Sequence, residues 1–189
     1  MPYSAASDPL CHNGKQLPAL YLLGTQSCGT TSFVAQLSYQ KWGITPAMKE
    51  WHFFDRPERF KKGIGAYLNY WRAPACGAGV LALDATPNYM ADRQAPERAK
   101  QFFTKAQLEK ITFAVLLCDP ARRAAHERRV LGQVVKGRHR IDVETASQAE
   151  AAELTLIEAL LAHWAGSEIA VATMGLRTQR GLVSTKLAR

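Results

Sequence analysis

The stretch that decides the fold is LPALYLLGTQSCGTTSF, Leu17 to Phe33. Ala19 to Gly24 is an apolar run of the kind that makes a strand buried on both faces. A glycine-containing turn follows. A helical pattern then places Phe33, Leu37 and Tyr39 or Gln40 at helical spacing and stops at Gly43. Gly24 and Gly29 are separated by four residues, and Thr30 and Thr31 come next. This is the outline of a loop that presents backbone N–H groups to a phosphate at a helix N-terminus. A Walker loop would carry lysine where Thr30 stands, and neither Thr30 nor Ser27 replaces it, which argues against a P-loop kinase or NTPase. Taken alone, the stretch also fits an ordinary helix start capped by threonines.

The rest of the chain repeats the alternation. GVLALD, Gly79 to Asp84, and ITFAVLL, Ile111 to Leu117, read as two more buried strands. PERFKKGIGAYLNYW opens with Pro57 near a helix start and carries Phe60, Ile64, Tyr67, Leu68 and Trp71 on one side. APERAKQFF reads as a short helix, and a further helix starts at Pro120. EWHFF reads as a short strand or extended segment. Ser147 with Glu150 forms a capping-box candidate for a helix through Trp164, and EIAVATMG as a further strand. Doubly apolar strands alternating with helices imply an α/β protein, a three-layer α/β/α arrangement around a parallel sheet. In such a sheet ligands bind beyond the carboxyl ends of the strands. Three loops should converge there: Gly24–Thr31, Asp84–Tyr89 and Cys118–Arg123. The expected organisation is a flexible leader over 1–16, a core over 17–132, and a basic loop with a helix and strand over 133–189 that extends the same domain.

The bulk properties agree. A chain of 189 residues can bury roughly 70% of the surface exposed by its unfolded form without needing a metal or disulfide. Its net charge of +8 favours an anionic partner: a nucleotide, an acidic glycan, a nucleic acid or a membrane surface. Cys11, Cys28, Cys76 and Cys118 make no CxxC pair, so no metal site is expected, and most of the four are read as free thiols. No apolar run reaches the roughly 18 residues of a membrane span. The N-terminal residues show no basic region followed by an apolar one, so no signal peptide is expected.

Three segments, in order, carry a resemblance: LLGTQSCGTTS, then KEWHFFDRPERFKKGIGAY, then LDATPNYM followed by ITFAVLLCDPARRAAHE. Together they resemble the sulfotransferases that use 3′-phosphoadenosine 5′-phosphosulfate (PAPS), most of all the Golgi carbohydrate, heparan-sulfate-type branch. The similarity covers roughly Leu17 to Glu127. It implies a P-loop-like sulfotransferase fold, sulfuryl transfer to a hydroxyl or amine of a carbohydrate-type or other small acceptor, and 3′,5′-adenosine bisphosphate as product. It implies that Gly24, Thr25, Gln26, Ser27, Cys28, Gly29, Thr30 and Thr31 form the 5′-phosphosulfate loop. It implies that Glu50 is the general base and that His52 orients the acceptor or steadies charge. Lys49, Asp55, Thr86 and Tyr89 become candidates for acceptor binding, although Asp55 also fits a helix N-cap and Tyr89 a packed turn. The resemblance implies the Golgi lumen as compartment.

The same resemblance exposes departures. The family usually carries lysine at the position of Ser27. It usually has arginine and serine for the 3′-phosphate where this chain has Cys118 and His126, while Arg123 fits. Some members have lysine where Ala85 stands. Each lost charged hydrogen bond to phosphate costs about 1.5–3 kcal/mol. Arg122, Arg128, Arg129 and a protonated His126 are the available substitutes. Family domains usually run longer and include a late covering loop, for which Lys136–Arg140 is the candidate, so the chain reads as a diverged, shortened member. Three functions therefore stand: an active PAPS-dependent sulfotransferase, towards which the reading leans; a catalytically inactive sulfotransferase fold serving as a subunit with other proteins; and a polyanion binder using the basic stretch 122–140. That stretch lacks the interleaved aromatics of a single-strand binder, which argues against nucleic acid.

Overall fold

A computed structural model describes residues 8–39, 45–46, 49–70, 72–119, 122–123, 126 and 171–175. The chain opens with a small hairpin, β1 (Cys11–His12) and β2 (Lys15–Gln16). It continues through β3 (Leu20–Gly24), α1 (Thr30–Tyr39) and β4 (Thr45–Pro46) to α2 (Pro57–Phe60) and α3 (Gly63–Tyr70). Next come β5 (Ala82–Ala85), a 3₁₀ turn (Pro87–Met90), α4 (Ala95–Phe102), α5 (Lys105–Leu108), β6 (Thr112–Leu117) and β7 (Val171–Gly175). Among the described residues the main sheet has five strands in the order β4-β5-β3-β6-β7, and every pairing in it is parallel.

β3 sits at the centre and divides the core by its alternation. Leu22 packs with Val34 of α1 and with Leu83, Ala114 and Leu116 on one face. Tyr21 and Leu23 face the opposite layer, with Phe53, Phe54, Tyr67, Tyr89 and Phe103. Period-two side chains on a strand covered by helices on both sides give the expected three layers. The second layer is an aromatic cluster: Phe53 and Tyr67 have ring centroids 4.5 Å apart, Phe54 and Tyr89 5.3 Å, and Tyr21 and Phe113 5.4 Å. Such pairs each add about 0.5–1.5 kcal/mol beyond the area they bury.

Four expectations need correction. The cysteines are not free thiols: Cys11 is bonded to Cys76 and Cys28 to Cys118, with Cα–Cα distances of 5.6 and 5.4 Å. The partners lie 65 and 90 residues apart in sequence, and only the fold brings them into range. Residues 8–16 are not a flexible leader, because the hairpin is held by the Cys11 bridge, by Leu10 in the core, and by Gln16 N–H donating to Pro74 C=O at 2.8 Å. EWHFF is not a strand: Glu50 and His52 adopt left-handed backbone angles, φ +63° and +53°. The helix expected from Pro57 through Trp71 breaks at Gly63, φ +74°, into α2 and α3. The helix expected from Pro120 is helical at 122, 123 and 126. The capping box at Ser147 and the basic loop 136–140 lie outside the described residues.

Candidate active site

The parallel register fixes where the loops meet. Leu22 pairs with Ala85 and Gly24 with Val115, so β3, β5 and β6 end at one edge of the sheet. The three expected loops leave from that edge. Gly24 is required there: a Cβ on it would stand 2.8 Å from Met90 Cβ and 3.0 Å from Pro87 O. The loop after it is anchored by Thr25 N–H donating to Leu116 C=O at 2.9 Å and by the Cys28–Cys118 bridge to the residue following β6. Gly29, φ +83°, turns the chain into α1, and the space a Cβ would occupy is open. The first-turn N–H groups of α1 have no partners within the helix and face out of its N-terminus. Thr25 Oγ1 is buried without a hydrogen-bond partner. Gln26, Gly29 and Thr31 are exposed, Ser27 is half-buried with φ +68°, and Cys28 and Thr30 are buried.

Beside this loop lies the segment Lys49–Asp55. Asp55 Oδ2 meets His52 Nδ1 at 2.6 Å, and His52 Nε2 lies 4.0 Å from Glu50 Oε2. Lys49 Nζ pairs with Glu50 Oε1. The side chains grade inwards from Glu50 (42% exposed) through His52 (18%) to Asp55 (6%). Asp55 therefore does not act as the helix cap. Arg56 stands at the N-cap of α2 with no side-chain cap, while Asp55 gives its carboxylate to the imidazole.

The segment has no regular secondary structure, yet its backbone is held group by group. Glu50 N–H donates to Ala85 C=O at 3.0 Å. Trp51 and His52 N–H donate to Thr86 Oγ1 at 2.8 and 3.3 Å, and Phe53 N–H to the Tyr89 hydroxyl at 2.9 Å. Arg59 and Arg98 donate to the carbonyls of Trp51 and Phe54. Two left-handed non-glycine residues cost about 1–2 kcal/mol each. This lattice of bonds, with Phe53 and Phe54 sunk in the aromatic layer, holds them in place.

Beneath the segment is a buried carboxylate, Asp84, which in sequence is marked as the end of a strand and the start of a converging loop. Asp84 Oδ1 accepts from Thr86 at 2.7 Å, and Oδ2 accepts from Tyr67 at 2.9 Å and Tyr89 at 3.1 Å. Burial pushes Asp84 up to about 6, against the pull of those three donors and with help from the Asp55 charge. Burial and then the Asp84 charge raise Tyr21, Tyr67 and Tyr89 well above the ordinary tyrosine range. Thr86 and Tyr89 are fully buried. They support the site from below and offer no surface to an acceptor. The legible signal was a lone acid closing an apolar strand, followed by a threonine two residues on.

Arg123 follows β6, half-buried, with its N–H donating to Asp119 C=O at 3.0 Å, and Arg122 N–H is capped by Asp119 Oδ1 at 3.1 Å. His126 is exposed. Among the described residues no group of His, Cys, Asp or Glu is placed to hold a metal, and no helix is long and apolar enough to cross a membrane.

No family model matches the chain. Heparan sulfate glucosamine 3-O-sulfotransferase 5 of Mus musculus is 25% identical over 126 residues, 67% of this chain and 33% of that protein. Heparan sulfate glucosamine 3-O-sulfotransferase 3A1 of the same organism is 29% identical over 115 residues, 61% of this chain and 27% of that protein. The chain thus spans about a third of the length of the curated relatives it matches. A solved sulfotransferase from Alicyclobacillus acidocaldarius aligns with a TM-score of 0.57 at 17% identity, covering 85% of this chain and 73% of that one. The α/β architecture is thus a sulfotransferase fold. In sequence the chain is similar to these sulfotransferases over about two thirds of its length.

Proposed function

We propose that the chain is a PAPS-dependent sulfotransferase whose acceptor is a hydroxyl or amine on a carbohydrate of the glycosaminoglycan type. The observation that carries this is the Glu50–His52–Asp55 cluster, set at the same sheet edge as an open loop feeding the N-terminus of α1. The cradle suits an anionic phosphate ester. It offers first-turn N–H groups, the exposed hydroxyl of Thr31, and at Thr25 a buried hydroxyl oxygen still without a partner. PAPS supplies the sulfuryl group and the bisphosphate that leaves with the electrons of the broken S–O bond. Glu50, the most exposed of the three acids and bases, takes the acceptor's proton as the new O–S or N–S bond forms. Asp55 fixes the imidazole of His52, which steadies Glu50 from the other side. Lys49 neutralises Glu50 in the resting state and favours an anionic acceptor nearby. Donors preset at a helix end act on charge as it develops, the largest contribution in transfers of this kind.

The chain's net charge of +8 suits a sulfated or carboxylated glycan. Two disulfides suit an oxidising lumen such as the Golgi. A second reading has one observation in its favour. The positions where relatives of this type bring lysine and arginine to the phosphates hold Ser27 and Cys118, and Cys118 is spent in a disulfide. On that reading the fold serves as a non-catalytic subunit.

Calorimetric titration of the oxidised protein with 3′,5′-adenosine bisphosphate separates the two. The enzyme reading expects micromolar binding, strengthened in Ser27→Lys, and product from PAPS with an N-sulfated heparosan oligosaccharide. Absence of binding in both proteins would leave the subunit reading.

A further inference from the structure

Three hydroxyls and one carboxylate lie under the site segment, and their hydrogens have a forced direction. We infer that Asp84 is a positioning residue for the Glu50–His52 pair, acting through the hydroxyls of Thr86 and Tyr89. The inference deepens the sulfotransferase reading and, for its effect on turnover, rests on it.

An ionised carboxylate only accepts. Thr86 gives its single hydrogen to Asp84 Oδ1 at 2.7 Å, so both its lone pairs are left for the N–H groups of Trp51 and His52. Tyr89 gives its hydrogen to Oδ2 at 3.1 Å, and its oxygen accepts from Phe53 N–H at 2.9 Å. Tyr67 donates to the same Oδ2 at 2.9 Å, so the Tyr21 hydroxyl, 2.9 Å from it, must donate to Tyr67. One acceptor-only group thus sets the polarity of the whole network. It leaves three successive backbone N–H groups of the site segment facing oxygen lone pairs.

A neutral amide at this position would break the pattern. Asparagine has an NH₂ on one side. Placed towards Thr86, it would meet a hydroxyl already accepting two N–H groups. Placed towards the tyrosines, it would meet two donors. In either orientation one of the two relays to the segment loses its hydrogen direction. The left-handed angles at Glu50 and His52, on either side of Trp51, are the conformations that such anchoring must hold. A carboxylate raised to about 6 by burial is a costly group to keep for packing alone.

The test is amide hydrogen exchange, resolved by residue, on the full chain without ligand. It compares wild type with Asp84→Asn, Thr86→Val and Thr86→Ser. Trp51 and His52 amides should exchange roughly tenfold faster in Thr86→Val, the shift set by the net worth of one hydrogen bond. Those of Leu22 and Ala114 in the central strands should not move, and Thr86→Ser should match wild type. Asp84→Asn should release at least one of Trp51 and Phe53. Unchanged exchange of both in Asp84→Asn, or equal acceleration of every core amide, would overturn the inference. If Asp84→Asn does not fold, the Thr86→Val and Thr86→Ser pair decides it. Turnover of PAPS with N-sulfated heparosan adds the catalytic readout: kcat should fall in Thr86→Val and Asp84→Asn with KM for PAPS unchanged. Wild-type protein that makes no product would overturn the sulfotransferase reading, while the exchange data still decide whether Asp84 positions the segment.

Discussion

Asp55 Oδ2 lies 2.6 Å from His52 Nδ1, and the other nitrogen of the same ring lies 4.0 Å from Glu50 Oε2. The imidazole therefore connects a buried acid to a half-exposed one. In an enzyme this arrangement divides labour: the outer acid meets the acceptor, and the inner acid keeps the ring from rotating away.

Glu50→Gln should reduce turnover by about 10²–10⁴-fold, the usual worth of a general base, while the affinity for 3′,5′-adenosine bisphosphate stays within twofold of wild type in calorimetry, roughly the scatter of uncoupled distant sites. A parallel loss of nucleotide affinity would point to a collapsed site and against a base at this position.

Asp55→Asn should keep the fold and lower turnover less than Glu50→Gln does. Its target is the orientation of His52, which can be read from the ring's nitrogen shifts by NMR. Identical ring shifts in variant and wild type would show that Asp55 does not orient the imidazole.

The burial of Asp84 makes a signed prediction for pH. Its carboxyl binds a proton more tightly in the folded state, at about 6, than at the ordinary value of 3.8. Between those values the folded chain holds more protons than the unfolded one, so this group's contribution to stability falls as pH rises. Below 3.8 both states are protonated, and above about 6 both are ionised and the cost is complete, on the order of 3 kcal/mol. Denaturation midpoints at pH 4 and pH 7 should therefore differ between wild type and Asp84→Asn, with the wild type losing more stability over the interval. Equal pH responses would contradict the shift.

Gly24→Ala should destabilise the fold by about 1–3 kcal/mol, the cost of overpacking a filled position. The atoms it would strike are Met90 Cβ and a backbone carbonyl, neither of which can swing aside. Thermal unfolding measures this directly, and a melting point equal to wild type would show that the loop and the 3₁₀ turn can separate.

Replacing Cys28 and Cys118 by serine should lower stability by about 4 kcal/mol through the freed chain entropy, a drop of about 10 °C in Tm for a chain of this size. Reductant, which also opens Cys11–Cys76, should lower the wild type at least as far as the double variant. Bisphosphate affinity measured in the same variant tells whether the bridge also shapes the cradle.

The sheet was legible because its strands are apolar on both faces: Leu22 and Leu23 point to different layers, and both are buried. The positions of the loops followed from parallel topology. Glu50 and His52 were visible through their motif, but their backbone conformation was not. It depends on Thr86, Tyr89 and Ala85, more than thirty residues away, and no local preference encodes a left-handed Glu50. The disulfides were hidden for the same reason, since cysteines far apart in sequence carry no sign of their partners. Thr86 and Tyr89 belong to the site's neighbourhood but lie beneath it: residues that shape a site from within its floor look, in sequence, like residues that line it.

The two bridges cross in sequence. Cys28 lies inside the loop closed by Cys11 and Cys76, and Cys76 lies inside the loop closed by Cys28 and Cys118. A single protease cut anywhere between Cys11 and Cys118 therefore leaves both pieces joined by at least one sulfur–sulfur bond. Nicked protein would run as one molecule on a non-reducing gel and fall into fragments only after reduction. Outside a reducing cell interior, where proteases are common and resynthesis is distant, that crossing lets the fold keep its parts together after its backbone has been broken.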